Sequence, residues 1–443
     1  MRTNYAKRLI FTLLFGSLML TTSAQTWTPM GTGINGPVNT MAVFNGKLYA
    51  GGQFDTVNGI NMSRIAGWDG AGWGVVGAGI SNVGVWSLAT YNTHLYAGGF
   101  FTVAGSKPAS NIGQWTGTKW NGVSKGTNLI IYAMAVYNGD LYVGGGFDSA
   151  GGKPASYIAM WDGSKWSSLG VGTNGYVQSL CVYNNALYVG GSFDSAGGQA
   201  ANGIAMWTGV SGWATVGTGV KGFVSSMTVF NSTLYVGGNF AKAGGITVNN
   251  IAAWDGSKWT AAGTGTNGTV SALAALNSSL YVGGQFTKAG GNAASHIAAW
   301  DGANWSSVGS GFNKTVLALT VFNSTLYAGG SFDSSGTIAM SHIAELNLAT
   351  DVNNITVTGT ASLYPNPNNG NFSVDIDNTE GKSTLEVYNI LGVEVYHTLL
   401  NSPDGGTSRS AVNMPGDNAM GVYIYRVLSE DGAVISCGRM VIK

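Results

Sequence analysis

One unit recurs seven times along this chain, and any fold it adopts must accommodate that repetition. The dipeptide Leu-Tyr, followed by Ala or Val and then Gly-Gly, begins at Leu48, Leu95, Leu141, Leu187, Leu234, Leu280 and Leu326, at intervals of 46 or 47 residues. Trp27, Trp73, Trp120, Trp166, Trp213, Trp259 and Trp305 form a second register. Trp68, Trp115, Trp161, Trp207, Trp254 and Trp300 form a third, with Leu346 in the seventh place. Of the 14 tryptophans, only Trp86 falls outside these registers, which marks it as a candidate for function rather than repeat packing.

Each unit reads as four short strands. In the third, Ile131–Tyr137 turns at Asn138-Gly139 into a strand beginning at Leu141 and ending at Phe147. A loop leads to Ile158–Trp161, and Asp162-Gly163 turns into the strand opening at Trp166. Asn-Gly and Asp-Gly are hairpin signals because they tolerate positive φ. From the Phe ending the second strand to the Ile opening the third is 11 residues in all seven copies, so this loop is predicted to be structured. A four-stranded antiparallel unit of about 46 residues, repeated, is a β-propeller blade. Such a blade is too thin to bury both faces alone and packs on its neighbours, which explains strands that are apolar almost throughout. The expected fold class is therefore all-β, a seven-bladed β-propeller over residues 25–348. The mature chain opens on a fourth strand, and the seventh unit lacks one. Trp27–Ile34 should thus complete the blade begun at Val316 and leave no open edge.

The apolar–Gly-Gly end of the second strand, the aromatic closing the third and the Trp opening the fourth resemble the kelch repeats of galactose-oxidase-like propellers. The resemblance covers residues 26–348 and implies the fold, not an activity. It departs from the kelch pattern where the third strand ends in Trp-Asp-Gly rather than Tyr-Asp.

The two ends of the chain supply an address. Arg2, Lys7 and Arg8 precede the apolar run Leu9–Leu20, and small residues follow, so residues 1–24 read as a signal peptide cleaved between Ala24 and Gln25. The run is shorter than the roughly 20 residues a membrane-spanning helix needs, and no transmembrane segment is expected elsewhere. Residues 349–360 read as a linker. Beyond it the balance turns acidic: residues 351–443 hold ten Asp or Glu against five Lys or Arg. Alternation at Phe372–Ile376 and Val393–Val395, with an apolar run at Val422–Val427, predicts a small Ig-like β-sandwich over 361–443. Within it, Leu363-Tyr364-Pro365-Asn366-Pro367 with Gly370, Val387-Tyr388-Asn389 with Leu391-Gly392, Gly421-Val422-Tyr423, and Met440-Val441-Ile442 before Lys443 resemble the C-terminal sorting domain of type IX secretion substrates in Gram-negative bacteria. That resemblance implies the type IX machinery as a partner. It also implies export across the outer membrane to the cell surface or medium.

Composition narrows the chemistry. Charged residues are 9% of the chain, against about 25% in an ordinary soluble domain, which leaves no basic patch for nucleic acid. Asp69, Asp162, Asp255 and Asp301 lie in the Trp-Asp-Gly turns, and Asp55, Asp148, Asp194 and Asp333 follow the Phe ending the second strand. Such positions favour turn-forming Asp, and no privileged pair of carboxylates of the kind a glycosidase needs stands out. No catalytic residue, metal site or cofactor is assigned. Cys181 lies in a strand and reads as a small core residue. His296 and His342 share one repeat position, which reads as a loop end rather than a metal site.

The longer loops, between fourth and first and between second and third strands, define one face of the ring. Around the start of the first strand, Trp86, Ile130, Tyr132, Tyr176 and Phe223 gather apolar and aromatic side chains on units two to five. Aromatic platforms suit sugar rings or peptide side chains. Asp55-Thr56-Val57, Asp148-Ser149-Ala150 and Asp194-Ser195-Ala196 resemble a bacterial O-glycosylation triplet, with Thr56, Ser149 and Ser195 as acceptors. The functional expectation is a secreted or surface-displayed binding protein, for adhesion or for recognition of an extracellular glycan or protein ligand. A carbohydrate-active lyase or hydrolase and a structural envelope component are the alternatives.

Overall fold

The computed structural model describes residues 25–347, except 32, 210 and 211, together with 360–377, 382–389, 394–401, 408–414, 420–430 and 434–443. The signal segment with Ala24, the linker up to residue 359, and Gly392 lie outside the described residues. The chain divides into two compact units, Met1–Ala349 and Thr350–Lys443. Every described helix or strand is a β-strand.

The first unit contains seven main antiparallel sheets built to one plan. In the third, Ile131–Tyr137, Asp140–Gly145, Ile158–Trp161 and Trp166–Ser168 pair in chain order. Asn138 and Gly139 turn the first hairpin with φ of 49° and 84°, the left-handed pair that a two-residue hairpin requires. The constant 11-residue interval is filled by a miniature hairpin, Ser149–Ala150 against Lys153–Pro154, and each of the other sheets carries its equivalent.

Two sets of contacts join the sheets into a closed cycle. The first lies at the Gly-Gly end of the second strand. A Cβ on Gly144 would sit 2.2 Å from Val177 Cγ1 of the next sheet. The same approach joins Gly51 to Val85, Gly98 to Ile131, Gly190 to Val224, Gly237 to Val270 and Gly283 to Val316, and Gly329 to Val38 returns to the first sheet. Only a residue without Cβ admits a branched side chain this closely. The second set is polar. The indole of Trp120 donates to Val76 O at 2.8 Å, Trp213 to Leu169 O at 2.8 Å and Trp305 to Ala262 O at 2.9 Å, each spanning to the preceding unit. Trp73, Trp166 and Trp259 do the same, and Trp27 closes this cycle onto Val308 O at 3.2 Å.

The seventh sheet is completed from the other end of the unit. Thr26–Pro29 pairs antiparallel with Ile343–Asn347, giving the order fourth, third, second, first strand as in the other sheets. In six sheets the third- and fourth-strand tryptophans pair with ring centroids 5.2–5.4 Å apart. Leu346 removes one partner in the seventh, and Trp27 packs instead on Phe312 at 4.7 Å.

The second unit has a three-stranded sheet of Thr360–Tyr364, Asn371–Asp377 and Ser408–Asn413. A four-stranded sheet of Glu394–Asn401, Lys382–Asn389, Gly421–Leu428 and Val434–Ile442 accompanies it. Alternate residues of both, among them Phe372, Val374, Leu385, Val427 and Met440, share one buried core.

Two outcomes follow from this packing. Trp27→Ala removes a buried indole and the closing hydrogen bond, and denaturant unfolding should show a loss of about 3–5 kcal/mol. A loss no larger than that of an exposed-site control would contradict closure by this strand. The second concerns the Trp-Asp-Gly turns, where Asp69, Asp162, Asp255 and Asp301 each accept from the N–H groups two and three residues on. Backbone hydrogen bonds hold all four below the usual carboxylate value of 3.8, Asp255 at about 2. A depressed folded value means that their contribution to stability is present above 3.8 and lost as pH falls through the folded values. Carboxyl NMR should place Asp255 near 2, and these four turns should add no pH dependence between 7 and 5; a midpoint at or above 3.8 would contradict the turn geometry.

Candidate ligand-binding surface

In every main sheet of the first unit, the first strand carries one residue more than its partner. The register shifts between Val38 and Thr40, Val85 and Ser87, Ile131 and Ala133, Val177 and Ser179, Val224 and Ser226, Val270 and Ala272, and Val316 and Ala318. A bulge places its extra residue outside the ladder and re-aims that side chain. The seven bulged residues are Asn39, Trp86, Tyr132, Gln178, Ser225, Ser271 and Leu317, all half-buried. Asn39 Nδ2 donates to Val85 O at 3.2 Å and Ser225 Oγ to Val270 O at 2.6 Å, so polar side chains here reach the first strand of the next sheet. Trp86 and Tyr132 occupy the same position without that polar bridge.

A second ring lies just before the third strand. Arg64, Asn111, Tyr157, Gly203, Asn250, His296 and His342 all have φ between 63° and 74°. Each donates its N–H to the Phe ending the second strand, and its carbonyl accepts from the second Gly of the Gly-Gly pair, as Tyr157 does with Phe147 and Gly145. Backbone alone fixes the position, and the side chain is free to differ. Arg64 Nε reaches Asn82 O, and Asn111 and Asn250 reach Thr127 O and Thr266 O, each tying one unit to the next. His296 Nδ1 lies 3.1 Å from Gly284 O, whereas His342 is half-buried and burial lowers its pKa.

The long loops are held on one face by asparagines. Asn35, Asn128, Asn174, Asn267 and Asn313 each accept, through Oδ1, two successive backbone N–H groups of the second-to-third-strand loop. Asn128 Nδ2 also donates to Asp148 at 2.8 Å, and Asn174 to Asp194 at 2.5 Å. Arg64 pairs with Asp55, and Lys314 with Asp333 at 2.6 Å. Thr56, Ser149 and Ser195 begin the miniature hairpins next to these clamps and are half-buried.

The predicted surface residues fall into three places. Tyr132 and Tyr176 come together with ring centroids 6.3 Å apart, and Tyr176 is 50% exposed. Ile130 packs beside them, since a Cβ on Gly146 would lie 3.3 Å from Ile130 and 3.5 Å from Tyr176. Phe223 lines a recess of about 430 Å³ with Phe193, Asn174, Ser192, Asp194 and Gly222. Trp86 lies on its own against Gly84 and, among the described residues, has no ring partner. Sequence reasoning missed Tyr157, whose ring stands 5.8 Å from Tyr176 and makes a three-tyrosine cluster. Its signal was the repeat position it shares with Arg64 and His296, read as a plain loop end. Burial raises the Tyr132 hydroxyl above its usual value. Cys181, predicted as a core residue, is half-buried against the core of the fourth and fifth sheets, and its thiol is pushed up to about 11 by burial. Among the described residues, no group of three or more His, Cys, Asp or Glu is placed to hold a metal ion.

In the second unit, Tyr364 is 74% exposed, Pro365, Asn366, Pro367 and Lys443 are exposed, Gly421 is half-buried and Tyr423 is buried in the core. No described helix is long and apolar enough to cross a membrane.

Among solved structures, the chain is similar to PorZ, an essential bacterial surface component of the type-IX secretion system of Porphyromonas gingivalis. The identity is 15% and the TM-score 0.47, and the match covers 92% of this chain and 59% of PorZ. This chain therefore spans less than two thirds of that structure. The computationally designed Ika4 protein matches 36% of this chain over 88% of its own, at 14% identity and a TM-score of 0.25. No curated protein matches the sequence. Residues 362–443 match the secretion system C-terminal sorting domain. That domain makes the protein a cargo of type IX secretion, delivered to the cell surface or the extracellular space.

Proposed function

We propose that the closed cycle of sheets is a seven-bladed, kelch-like β-propeller, that the second unit is an Ig-like sorting module, and that the protein is a secreted binding protein recognising an extracellular glycan. One observation carries the binding reading. Two rings of backbone-fixed positions repeat around the sheets of the first unit, and in the third sheet both are tyrosines, Tyr132 and Tyr157, whose rings meet that of Tyr176 from the fourth. Asn39, Arg64, Asn111, Ser225 and Asn250 staple adjacent sheets from these positions, whereas Tyr132 and Tyr157 present rings instead. The adjoining recess adds Phe223 beside Asn174, Ser192 and Asp194, an apolar wall with hydrogen-bonding groups at its rim. Stacking on the apolar face of a sugar, with hydroxyls met by amide and carboxylate, suits this arrangement. Binding is favoured over hydrolysis because eight of the ten acidic side chains of the sheet unit lie in repeated turn or loop positions.

An array of glycans and cell-wall polymers should yield a ligand for the secreted protein. Tyr176→Ala and Tyr132→Ala should each weaken that ligand about tenfold, roughly 1.4 kcal/mol, without changing the thermal midpoint by more than a few degrees. Trp86→Ala, one seam away, should have the smaller effect. Unchanged affinity in both tyrosine variants would place the ligand elsewhere.

We propose the triplets at Thr56, Ser149 and Ser195 as O-glycosylation sites, since each opens a miniature hairpin whose return strand is exposed. Mass spectra of protein from its native host should show hexose-containing additions on those three peptides. Unmodified masses on all three would end that assignment.

A further inference from the structure

The asparagine clamps that hold the long loops do not all carry the same charge. In the third, fourth and seventh sheets the clamp's Nδ2 donates to the carboxylate that follows the Phe, Asp148, Asp194 or Asp333, and the next residue is a serine. In the sixth sheet both positions change. Asn267 Nδ2 donates to the neutral hydroxyl of Thr287 at 3.0 Å, and Lys288 stands where the serine would be. In the fifth sheet the change goes further: Lys221 replaces the clamp asparagine itself, Ala241 the carboxylate and Lys242 the serine. Between Ser195 and Phe332 the only acidic residues are Asp255 and Asp301, which lie in the Trp-Asp-Gly turns at the opposite ends of the strands. Lys221, Lys242 and Lys288 are all exposed, and among the described residues none of them forms an ion pair.

A polar recess accompanies this change of charge. Asn249, Asn250, Thr264, Thr266, Asn267 and Lys288 line a space of about 380 Å³ between the fifth and sixth sheets. Its walls are set by internal hydrogen bonds. Asn249 Nδ2 donates to Thr264 O and Asn250 Nδ2 to Thr266 O, both at 2.8 Å, while Asn267 Oδ1 accepts from Thr287 N and Lys288 N. Each amide nitrogen carries a second hydrogen, so the lining offers N–H donors and an ammonium, with no carboxylate to oppose them. Asn250 occupies the ring position that Tyr157 holds in the third sheet, and Asn267 the clamp position of Asn174. The recess therefore opens on the face that carries the tyrosine cluster. Around the cycle, the tyrosines span the third and fourth sheets, the Phe223 recess the fourth and fifth, and the Lys288 recess the fifth and sixth. Lys221 immediately precedes Gly222 of the middle recess, where Asp194 is already engaged by Asn174. Three consecutive seams, aromatic at one end and cationic at the other, fit a polymer better than a single sugar.

We propose that the Lys288 recess is an acidic-sugar subsite, which takes the carboxylate of a uronic acid residue in a polysaccharide whose neighbouring sugars lie along the two seams leading to Tyr176. The proposal rests on the glycan reading of the tyrosine cluster and names the class of glycan. Lys288 supplies the ion pair, the amides of Asn249 and Asn267 supply neutral donors, and Lys221 and Lys242 attract the anionic chain at longer range. These charges are exposed, so their effect on affinity is modest for each lysine and is screened by salt.

The test measures binding of the purified secreted chain to immobilised alginate and polygalacturonate, each beside its neutral, carboxyl-reduced form. At low salt, at least one acidic polymer should bind about tenfold more tightly than its reduced form. The difference should vanish near 1 M salt, where the Debye length is about 3 Å. Lys242→Gln combined with Lys288→Gln should remove most of the preference while leaving the thermal midpoint and the affinity for the reduced polymer unchanged. The charge-matched pair Lys107→Gln with Lys125→Gln, on long loops outside this path, should retain the preference. Equal loss in the two pairs, or no preference for either acidic polymer, would overturn the subsite; binding of the reduced polymers that still depends on Tyr176 would leave the glycan reading standing. Lysine-dependent binding of dextran sulfate without either uronate would overturn the carboxylate assignment. If no polymer binds, or none depends on Tyr176, the glycan reading fails and the subsite with it.

Discussion

Everything in the first unit depends on how closely two neighbouring sheets approach. The branched side chain of one first strand enters the space over a glycine of the adjacent second strand, at a distance no Cβ would allow. Seven such contacts form a cycle because the seventh returns to the first. The approach sets the spacing of the inner strands, and the Trp indole bonds repeat the closure at the opposite margin of each sheet. Between these two rings the second strand is buried on both faces, which is why it has no polar face. Burial of this kind is collective: each sheet supplies one wall of two cores and has none of its own.

The same constraint determines where variation is possible. A bulge follows each branched residue, and a left-handed residue precedes each third strand. Both are fixed by backbone geometry that repeats whatever the side chain. Asn and Ser use these positions to tie units together, and Arg64 ties unit one to unit two. The tyrosine cluster arises where both of these positions in one unit, Tyr132 and Tyr157, relinquish that tie and meet Tyr176 of the next. The proposed binding surface is thus a local departure from a structural habit, in a region whose backbone does not differ from its neighbours.

The repeat made the architecture legible. Strand order, turn positions, the structured loop and the closing role of Trp27 all follow from spacing, because glycine and tryptophan mark places where backbone or ring must fit a neighbour. Trp86 and Tyr132 stood out by breaking the repeat. Their shared cause, the bulge, was not legible, because a bulge leaves the residue count of every unit unchanged and no distinctive residue type marks it. Tyr157 escaped for a related reason: its neighbours in the ring are Arg, Asn, Gly and His, a set with no common chemistry in sequence and one common φ in space. In the second unit the motif residues were recognisable as a group. That Asn366 hydrogen-bonds Arg439 and Val441 of the last strand was not, since these partners lie 73 and 75 residues away.

Closure by Thr26–Pro29 has a consequence for the order of events in a secreted chain. These residues pair with Ile343–Asn347, and Asn347 hydrogen-bonds Thr28 across 319 residues of intervening sequence. A segment that emerges first from synthesis finds its partner only after the other six sheets have been made. Until then the seventh sheet has an open edge, and the Trp27 indole has neither its carbonyl nor its phenylalanine. The ring is completed last by a part of the chain made early, so the fold closes only once residues 343–347 are in place.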